Sequence, residues 1–231
     1  MKALVLAGGE GLRLKPLLGP LPKCLAPVQG RPFIEWQIEL LKEHGLREFI
    51  LCVGIGAHAV RELLGDGSRL GVHVQYSVES TPLGTGGAVK NASGLLAGRF
   101  LCANGDTLAE FSLTELVSRH ESLGARASVL CRRAADATGK GTVVVGERGR
   151  ILSFDEKTAG GSAGLINCGF YLMEKDVLDC VAPGRPVSLE KETFPQLLES
   201  GVMLAACETS GAFVDIGTPE EYMRVKNGGW R

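Results

Sequence analysis

Short runs of β-forming residues alternate with segments of helical period through the first half of this chain. That alternation narrows the fold more than any other feature. Residues 3–7, 48–53, 73–78 and 100–103 are apolar, too short for helices, and contain β-branched or aromatic residues. Between the first two, Phe33, Ile34, Ile38 and Leu41 recur at helical spacing. Leu113, Leu116, Val117 and His120 do so later, behind the capping box Ser112-Leu113-Thr114-Glu115. Such alternation is satisfied by an α/β, Rossmann-like fold: a mostly parallel sheet with helices on both faces. Ligands of these sheets bind at the carboxyl ends of the strands. The second half is richer in β-signals, over 142–145, 150–154 and 169–173, with helices expected near 188–200 and 218–226. The second of these helices opens on Thr218-Pro219-Glu220-Glu221, a capping Thr, an N1 Pro and a Glu at N3. No linker, repeat or low-complexity stretch interrupts the chain, and 231 residues suit one sizeable domain, 1–231.

The first strand runs into an unusual loop: Leu4-Val5-Leu6-Ala7-Gly8-Gly9-Glu10-Gly11-Leu12-Arg13-Leu14-Lys15-Pro16, followed by Pro22-Lys23. Glycines let backbone approach a ligand and turn its N–H groups inward. Between residues 11 and 34 the charged side chains are Arg13, Lys15, Lys23 and Arg31, all cationic. A narrow basic cradle in a near-neutral chain suits a small, multiply charged anion, such as a nucleoside triphosphate. Two commoner phosphate loops are excluded. A G-x-G-x-x-G fingerprint from Gly9 and Gly11 would need glycine where Leu14 stands, and no Gly-Lys pair is followed by Ser or Thr. The plain alternative is a tight strand–loop turn with solvated cations.

Composition removes several function classes. A net charge of −1 and a pI near 6.4 argue against a nucleic-acid or membrane-surface protein. The seven cysteines form no C-x-x-C pair and several lie in apolar runs, which reads as reduced, buried thiols in a cytoplasmic protein. Scattered histidines suggest no zinc site. The amino terminus enters a strand directly, without a signal peptide, and no apolar run reaches membrane length.

Three further segments carry chemistry. Asn104-Gly105-Asp106-Thr107 places an acid directly after a buried strand, as an Asx turn or as a metal ligand. Phe154-Asp155-Glu156-Lys157 is a charged turn. In Ile166-Asn167-Cys168-Gly169-Phe170-Tyr171 a polar Asn on an apolar strand needs a partner, either backbone or a sugar hydroxyl.

The loop pattern G-G-x-G-x-R-L-x-P-L through P-K resembles the signature of the sugar-nucleotide pyrophosphorylases, nucleotidyltransferases that act on sugar 1-phosphates. The resemblance runs from residue 1 to about 226. It implies a GT-A-like nucleotidyltransferase fold, with residues 1–110 binding the nucleotide and a β-rich 111–231 binding the sugar. By the same resemblance Gly8, Gly9 and Gly11 cradle the triphosphate, Leu6 and Ala7 join them in binding the nucleotide, Arg13 neutralises the leaving pyrophosphate, and Lys23 lies near the α-phosphate. Gly84 and Thr85, in Thr81-Pro82-Leu83-Gly84-Thr85-Gly86-Gly87-Ala88, belong to the nucleobase loop. Gly105 and Asp106 match the G-D motif. Asp106 and Asp215, the latter in Phe213-Val214-Asp215-Ile216-Gly217-Thr218-Pro219, are implied ligands of Mg²⁺. Lys157 would clamp the sugar phosphate, Glu156 and Asn167 would meet sugar hydroxyls, and Gly141 would lie under the ring. This chain departs from the family at Thr158, where proline is usual, and at Lys140, where an aromatic is usual. Glu79 stands where thymidylyltransferases of the family carry a base-reading glutamine. An acceptor-only carboxylate there matches the adjacent N–H donors of guanine.

Within the family, the segments Pro82-Leu83-Gly84-Thr85-Gly86-Gly87-Ala88, Asn104-Gly105-Asp106-Thr107, Ser188-Leu189-Glu190-Lys191 and Asp215-Ile216-Gly217 look closest to the D-glycero-D-manno-heptose 1-phosphate guanylyltransferases. The implied reaction is Mg²⁺-dependent transfer of a nucleotidyl group, GTP favoured, to a sugar 1-phosphate with release of pyrophosphate. Mannose 1-phosphate with GTP, N-acetylmuramate 1-phosphate with UTP and glucose 1-phosphate with dTTP are alternatives. A catalytically silent sugar-nucleotide-binding regulator and a choline-phosphate cytidylyltransferase are alternatives of other kinds. The partners are these small substrates, with no nucleic acid or membrane, and a homo-oligomer is compatible with the reading.

Overall fold

The computed structural model describes residues 1–155, 163–228 and 230. The main strands are β1 (Lys2–Leu6), β2 (Glu48–Val53), β3 (His73–Val78), β4 (Phe100–Asn104), β5 (Thr107–Ala109), β6 (Ala127–Ala134), β7 (Thr142–Val145), β8 (Ile151–Asp155), β9 (Gly164–Met173), β10 (Leu204–Glu208) and β11 (Phe213–Asp215). The main helices are α1 (Phe33–Glu43), α2 (Ala57–Leu64), α3 (Gly84–Asn91), α4 (Leu113–Ser122), α5 (Phe194–Glu199) and α6 (Pro219–Gly228).

Among the described residues nine strands form one mixed sheet. Its order is β8-β7-β9-β4-β1-β2-β3, with β6 also pairing β9, and β10 pairing β6. The half that carries the Gly8–Gly11 loop is parallel: β1 lies between β2 and β4, and β3 follows β2. Leu6 pairs with both Cys52 and Asn104, so β1, β2 and β4 end level and their following loops emerge side by side. That is the strand-end crevice expected from the sequence.

Alternation along each strand sends side chains to opposite faces. Val5, Phe49 and Leu51 pack on one face with Phe33, Ile34, Ile38 and Leu41 of α1, Val60 of α2, Leu116 of α4 and Tyr222 of α6. Leu4, Ile50 and Cys52 pack on the other, against Ala88 and Val89 of α3 and Phe194 of α5. Both faces are therefore covered. The two capping sequences act as read: Glu115 N–H donates to Ser112 Oγ at 3.2 Å, and Glu221 N–H to Thr218 Oγ1 at 3.3 Å.

The second half holds strands that local pattern did not signal. β10 is Leu-Ala-Ala-Cys-Glu, poor in β-formers, and it forms because β6 offers a parallel partner. β9 is longer than the expected 169–173 because both its edges are paired, to β4 and to β6. Its register shifts between Asn167 and Tyr171. Gly169 sits in that shift at φ 73°, where a Cβ would lie 2.6 Å from Asn104 Nδ2, so glycine is required for both backbone and space. The helix expected over 188–200 begins as a π-type turn, Leu189–Thr193, before α5. Helix α3 starts at Gly84, inside the glycine-rich 81–88 segment.

A separate two-stranded ribbon decides the chemistry. β11 pairs antiparallel with β5, with Asp215 opposite Thr107. Ile216 N–H donates to Asp106 O at 3.0 Å. Two acids 109 positions apart are thereby brought to one sheet edge. Among the described residues no helix is long and apolar enough to cross a membrane.

Candidate active site

The loop after β1 is pinned to its neighbours before it turns. Ala7 N–H donates to Cys52 O at 2.8 Å, and Gly105 N–H donates to Leu6 O at 2.9 Å. Gly11, at φ 59°, then closes a turn by accepting from Leu14 and Lys15 N–H, which starts the helical turn Lys15–Leu18. The result is a cleft of about 560 Å³ at the carboxyl ends of β1 and β4, the size of a small-molecule site. Leu6, Ala7, Gly8, Gly9, Gly11, Arg13, Lys23, Glu79, Gly84, Thr85, Gly105 and Asp106 all line it. The structure thus brings together every residue the sequence assigns to nucleotide or catalysis. Asp215, the remaining expected metal ligand, stands at its border with Gly217.

The charges of the cleft are linked. Lys23 Nζ is ion-paired with Asp106. Arg13 lies over Gly217, where an added Cβ would meet its Nη2 at 3.2 Å. Asp215 Oδ1 accepts from Gly217 N–H at 2.6 Å. Burial, reinforced by the charge of Asp106, holds the Asp215 carboxyl above its usual range; Lys23, the Gly217 N–H and Arg13 oppose the rise. A divalent cation beside these acids would relieve the penalty on the Asp215 carboxylate. Among the described residues no cluster of three or more His, Cys, Asp or Glu forms a closed metal cage. The donor set fits a hard cation that completes its shell with phosphate oxygens and water.

Glu79 is half-buried. Its Oε2 accepts from Leu83 N–H at 3.0 Å, tying it to the loop that opens α3, and its Oε1 faces Gly8, where a Cβ would approach to 2.6 Å. Burial raises its proton affinity and the Leu83 N–H opposes the rise. Cys24 also lines the cleft, but burial pushes its thiol up to about 12, so it remains a neutral, unreactive group.

A second depression of about 700 Å³ adjoins the first and shares Arg13 with it. Asp215, Phe213, Lys140 and Ile166 line it. Gly141 and Asn167 stand next to Lys140 and Ile166, and Asn167 N–H donates to Gly141 O at 3.1 Å. The Asn167 side chain finds its partners within the protein: Nδ2 donates to Tyr171 Oη at 2.9 Å and Oδ1 accepts from Gly169 N–H at 2.8 Å. Glu156 and Lys157 lie outside the described residues.

Two residues of this region were not singled out from sequence. The buried Tyr171 hydroxyl donates to Glu190 Oε1 at 2.7 Å, and Glu190 Oε2 accepts from Thr85 Oγ1 at 3.0 Å and Ser188 Oγ at 2.9 Å. This chain of hydrogen bonds joins β9 to the start of α3. The available signal was a tyrosine hydroxyl in a largely apolar strand, since a buried hydroxyl needs a polar partner elsewhere.

The polar groups of the cleft, carried on an α/β frame, are arranged so that they can receive and neutralise anionic charge. The Nucleotidyl transferase family profile matches residues 2–228, and this chain belongs to that family. It is 35% identical over 222 residues to the D-glycero-alpha-D-manno-heptose 1-phosphate guanylyltransferase of Campylobacter jejuni, covering 96% of this chain and 97% of that protein. It is also 35% identical over 224 residues to the mannose-1-phosphate guanylyltransferase of Mycobacterium tuberculosis, covering 96% of this chain but 62% of that protein. The chain thus spans about three fifths of the length of that relative and of several others. Among solved structures, HddC from Yersinia pseudotuberculosis complexed with GMP-PN superposes with a TM-score of 0.85 at 29% identity, covering 98% of each chain.

Proposed function

We propose that this protein transfers a nucleotidyl group from a nucleoside triphosphate to a sugar 1-phosphate, releasing pyrophosphate. The observation that carries the reading is the convergence of Arg13, Lys23, Asp106 and Asp215 where a glycine-lined cleft meets a second depression. One cleft suits the nucleotide and the adjoining one the acceptor. Residues 1–110 supply most of the first, and 111–231 most of the second.

The acceptor phosphate is already ionised, so no general base is needed, and catalysis is positioning and charge neutralisation. The N–H groups of the Gly8–Gly11 turn and the Lys23 ammonium hold the triphosphate. Arg13, placed between the clefts, offsets charge on the departing pyrophosphate. Asp106 and Asp215 would hold a divalent cation, Mg²⁺ in our reading, which supplies Lewis-acid neutralisation of phosphate charge. Gly141 and Asn167 border the acceptor side, and the Asn167–Tyr171–Glu190–Thr85 chain keeps that border in register with α3. Glu156 and Lys157 complete the acceptor site in this reading.

GTP and a heptose 1-phosphate are the preferred pair in our reading. Similarity over almost the full length of the Campylobacter protein, and to HddC with its guanine-nucleotide analogue, supports that choice. The Glu79 carboxylate, presented beside the nucleobase loop, is consistent with a guanine edge. Seven free cysteines suit a reducing, cytoplasmic setting. The test is a pyrophosphate-release matrix of nucleoside triphosphates against a panel of sugar 1-phosphates. The highest kcat/KM is expected for GTP with D-glycero-D-manno-heptose 1-phosphate. No pyrophosphate release with any pair would refute the enzyme reading.

A further inference from the structure

Helix α1 carries its buried stripe at Phe33, Ile34, Gln37, Ile38 and Leu41, all but one of them apolar. Gln37 is fully buried at 0% exposure in the position where the helical period calls for an aliphatic residue. Burying a carboxamide is unfavourable unless its groups are paired. Its Nε2 donates to Asn104 O at 2.7 Å and to Thr107 O at 2.9 Å. Both partners are carbonyls, so the nitrogen must face them and the orientation of the amide follows from the chemistry. Among the described residues its Oε1 has no partner, and neither does Asn104 Oδ1. The amide is therefore retained at a cost, and its bonded half must return that cost.

Those two carbonyls flank Gly105 and Asp106, the tip of the turn. Within the turn Thr107 Oγ1 also donates to Asn104 O at 3.2 Å, Lys23 pairs with the Asp106 carboxylate, and main chain adds Gly105 N–H on Leu6 O and Ile216 N–H on Asp106 O. Gln37 thus ties both ends of the acid-bearing turn together with one side chain, from a helix that contributes no residue to the cleft lining.

We infer that Gln37 is a positioning residue, whose buried amide fixes the Asn104–Thr107 turn so that the Asp106 carboxylate stands correctly against Asp215 for a divalent cation. The inference rests on the proposed role of Asp106 as a cation ligand. It concerns distance and angle, so removing the amide should weaken cation binding more than nucleotide binding. Partners one step behind a ligand typically carry about 10–100-fold in metal affinity.

The experiment compares wild type, Gln37→Met and Asp106→Asn. Mn²⁺ binding is read from the free-ion EPR signal in the presence of a non-reacting GTP analogue, without turnover. Urea denaturation and the separate kcat and KM values for GTP accompany it. Gln37→Met is expected to weaken Mn²⁺ binding about 10-fold, to lower kcat by a similar factor, and to leave the GTP KM within a few-fold. Gln37→Asn keeps the amide one methylene too short, and it is expected to behave likewise if the Met variant does not fold. Mn²⁺ affinity unchanged in the folded Gln37 variant, with Asp106→Asn losing binding, would overturn the inference and leave the role of Asp106 standing. Mn²⁺ affinity unchanged in Asp106→Asn as well would overturn both.

Discussion

Gly105 offers a direct test of whether close packing of the turn after β4 is what places Asp106. Its φ is not positive, so alanine is conformationally allowed and only space opposes it. An added Cβ would lie 2.6 Å from Leu6 O, 3.2 Å from Leu6 C and 3.3 Å from Ala7 Cα. Ordinary contact begins near 3.4 Å, so the approach to the carbonyl is short by about 0.8 Å. The atoms in the way are backbone at the end of a central strand, paired on both sides, and they cannot yield cheaply. The turn must move, lengthening the Gly105 N–H bond to Leu6 O and carrying Asp106 with it. Forcing extra volume into a packed site costs about 1–3 kcal/mol. A displacement approaching an ångström at a catalytic group costs about 100-fold in rate. Gly105→Ala is therefore expected to fold with that modest loss in urea denaturation, and to lose about two orders of magnitude in kcat/KM by pyrophosphate release. Turnover within threefold of wild type would show that this close approach does not position Asp106.

Asp215→Asn should abolish most turnover yet stabilise the protein when no divalent cation is present. The folded carboxyl holds its proton above the ordinary value of 3.8, so folding takes up a proton in that window and wild-type stability falls as pH rises through it. The Asn variant lacks that slope, and the gap between the two urea curves should widen from acid toward neutral pH and narrow when Mg²⁺ is added; a gap constant in pH would refute the burial argument. Arg13→Ala should lose about 3 kcal/mol of transition-state stabilisation, the size seen when a preorganised donor is removed, measured as kcat/KM for GTP with the sugar 1-phosphate held constant. Glu79→Gln should narrow the preference for GTP over dTTP in the same assay with little change in the sugar KM. An unchanged preference would remove Glu79 from base reading.

What could be read from the sequence was local chemistry. The strand–loop–strand grammar of β1 to β4, the Gly8–Gly11 turn and the Ser112 and Thr218 caps depend on residues a few positions apart. Their backbone preferences act before any tertiary contact forms. The parallel half of the sheet followed, because helices of a matching period could only cover it on both faces. β6 and β10 were not legible, since each is stabilised by the strand edges it meets more than by its own residues. Asn167 was legible as a polar residue needing a partner, but Tyr171 as that partner depended on the register shift at Gly169. Glu190 and Gln37 carried almost no local signal, for each acts on atoms brought near only by packing. The meeting of Asp106 and Asp215 belongs to the tertiary structure as well. Family resemblance could name both acids, but their mutual repulsion, their link to Lys23 and Arg13, and the cation they would share arise from one short ribbon pairing β5 with β11. Charge interaction falls with distance and rises with burial, and neither quantity exists until the chain has closed.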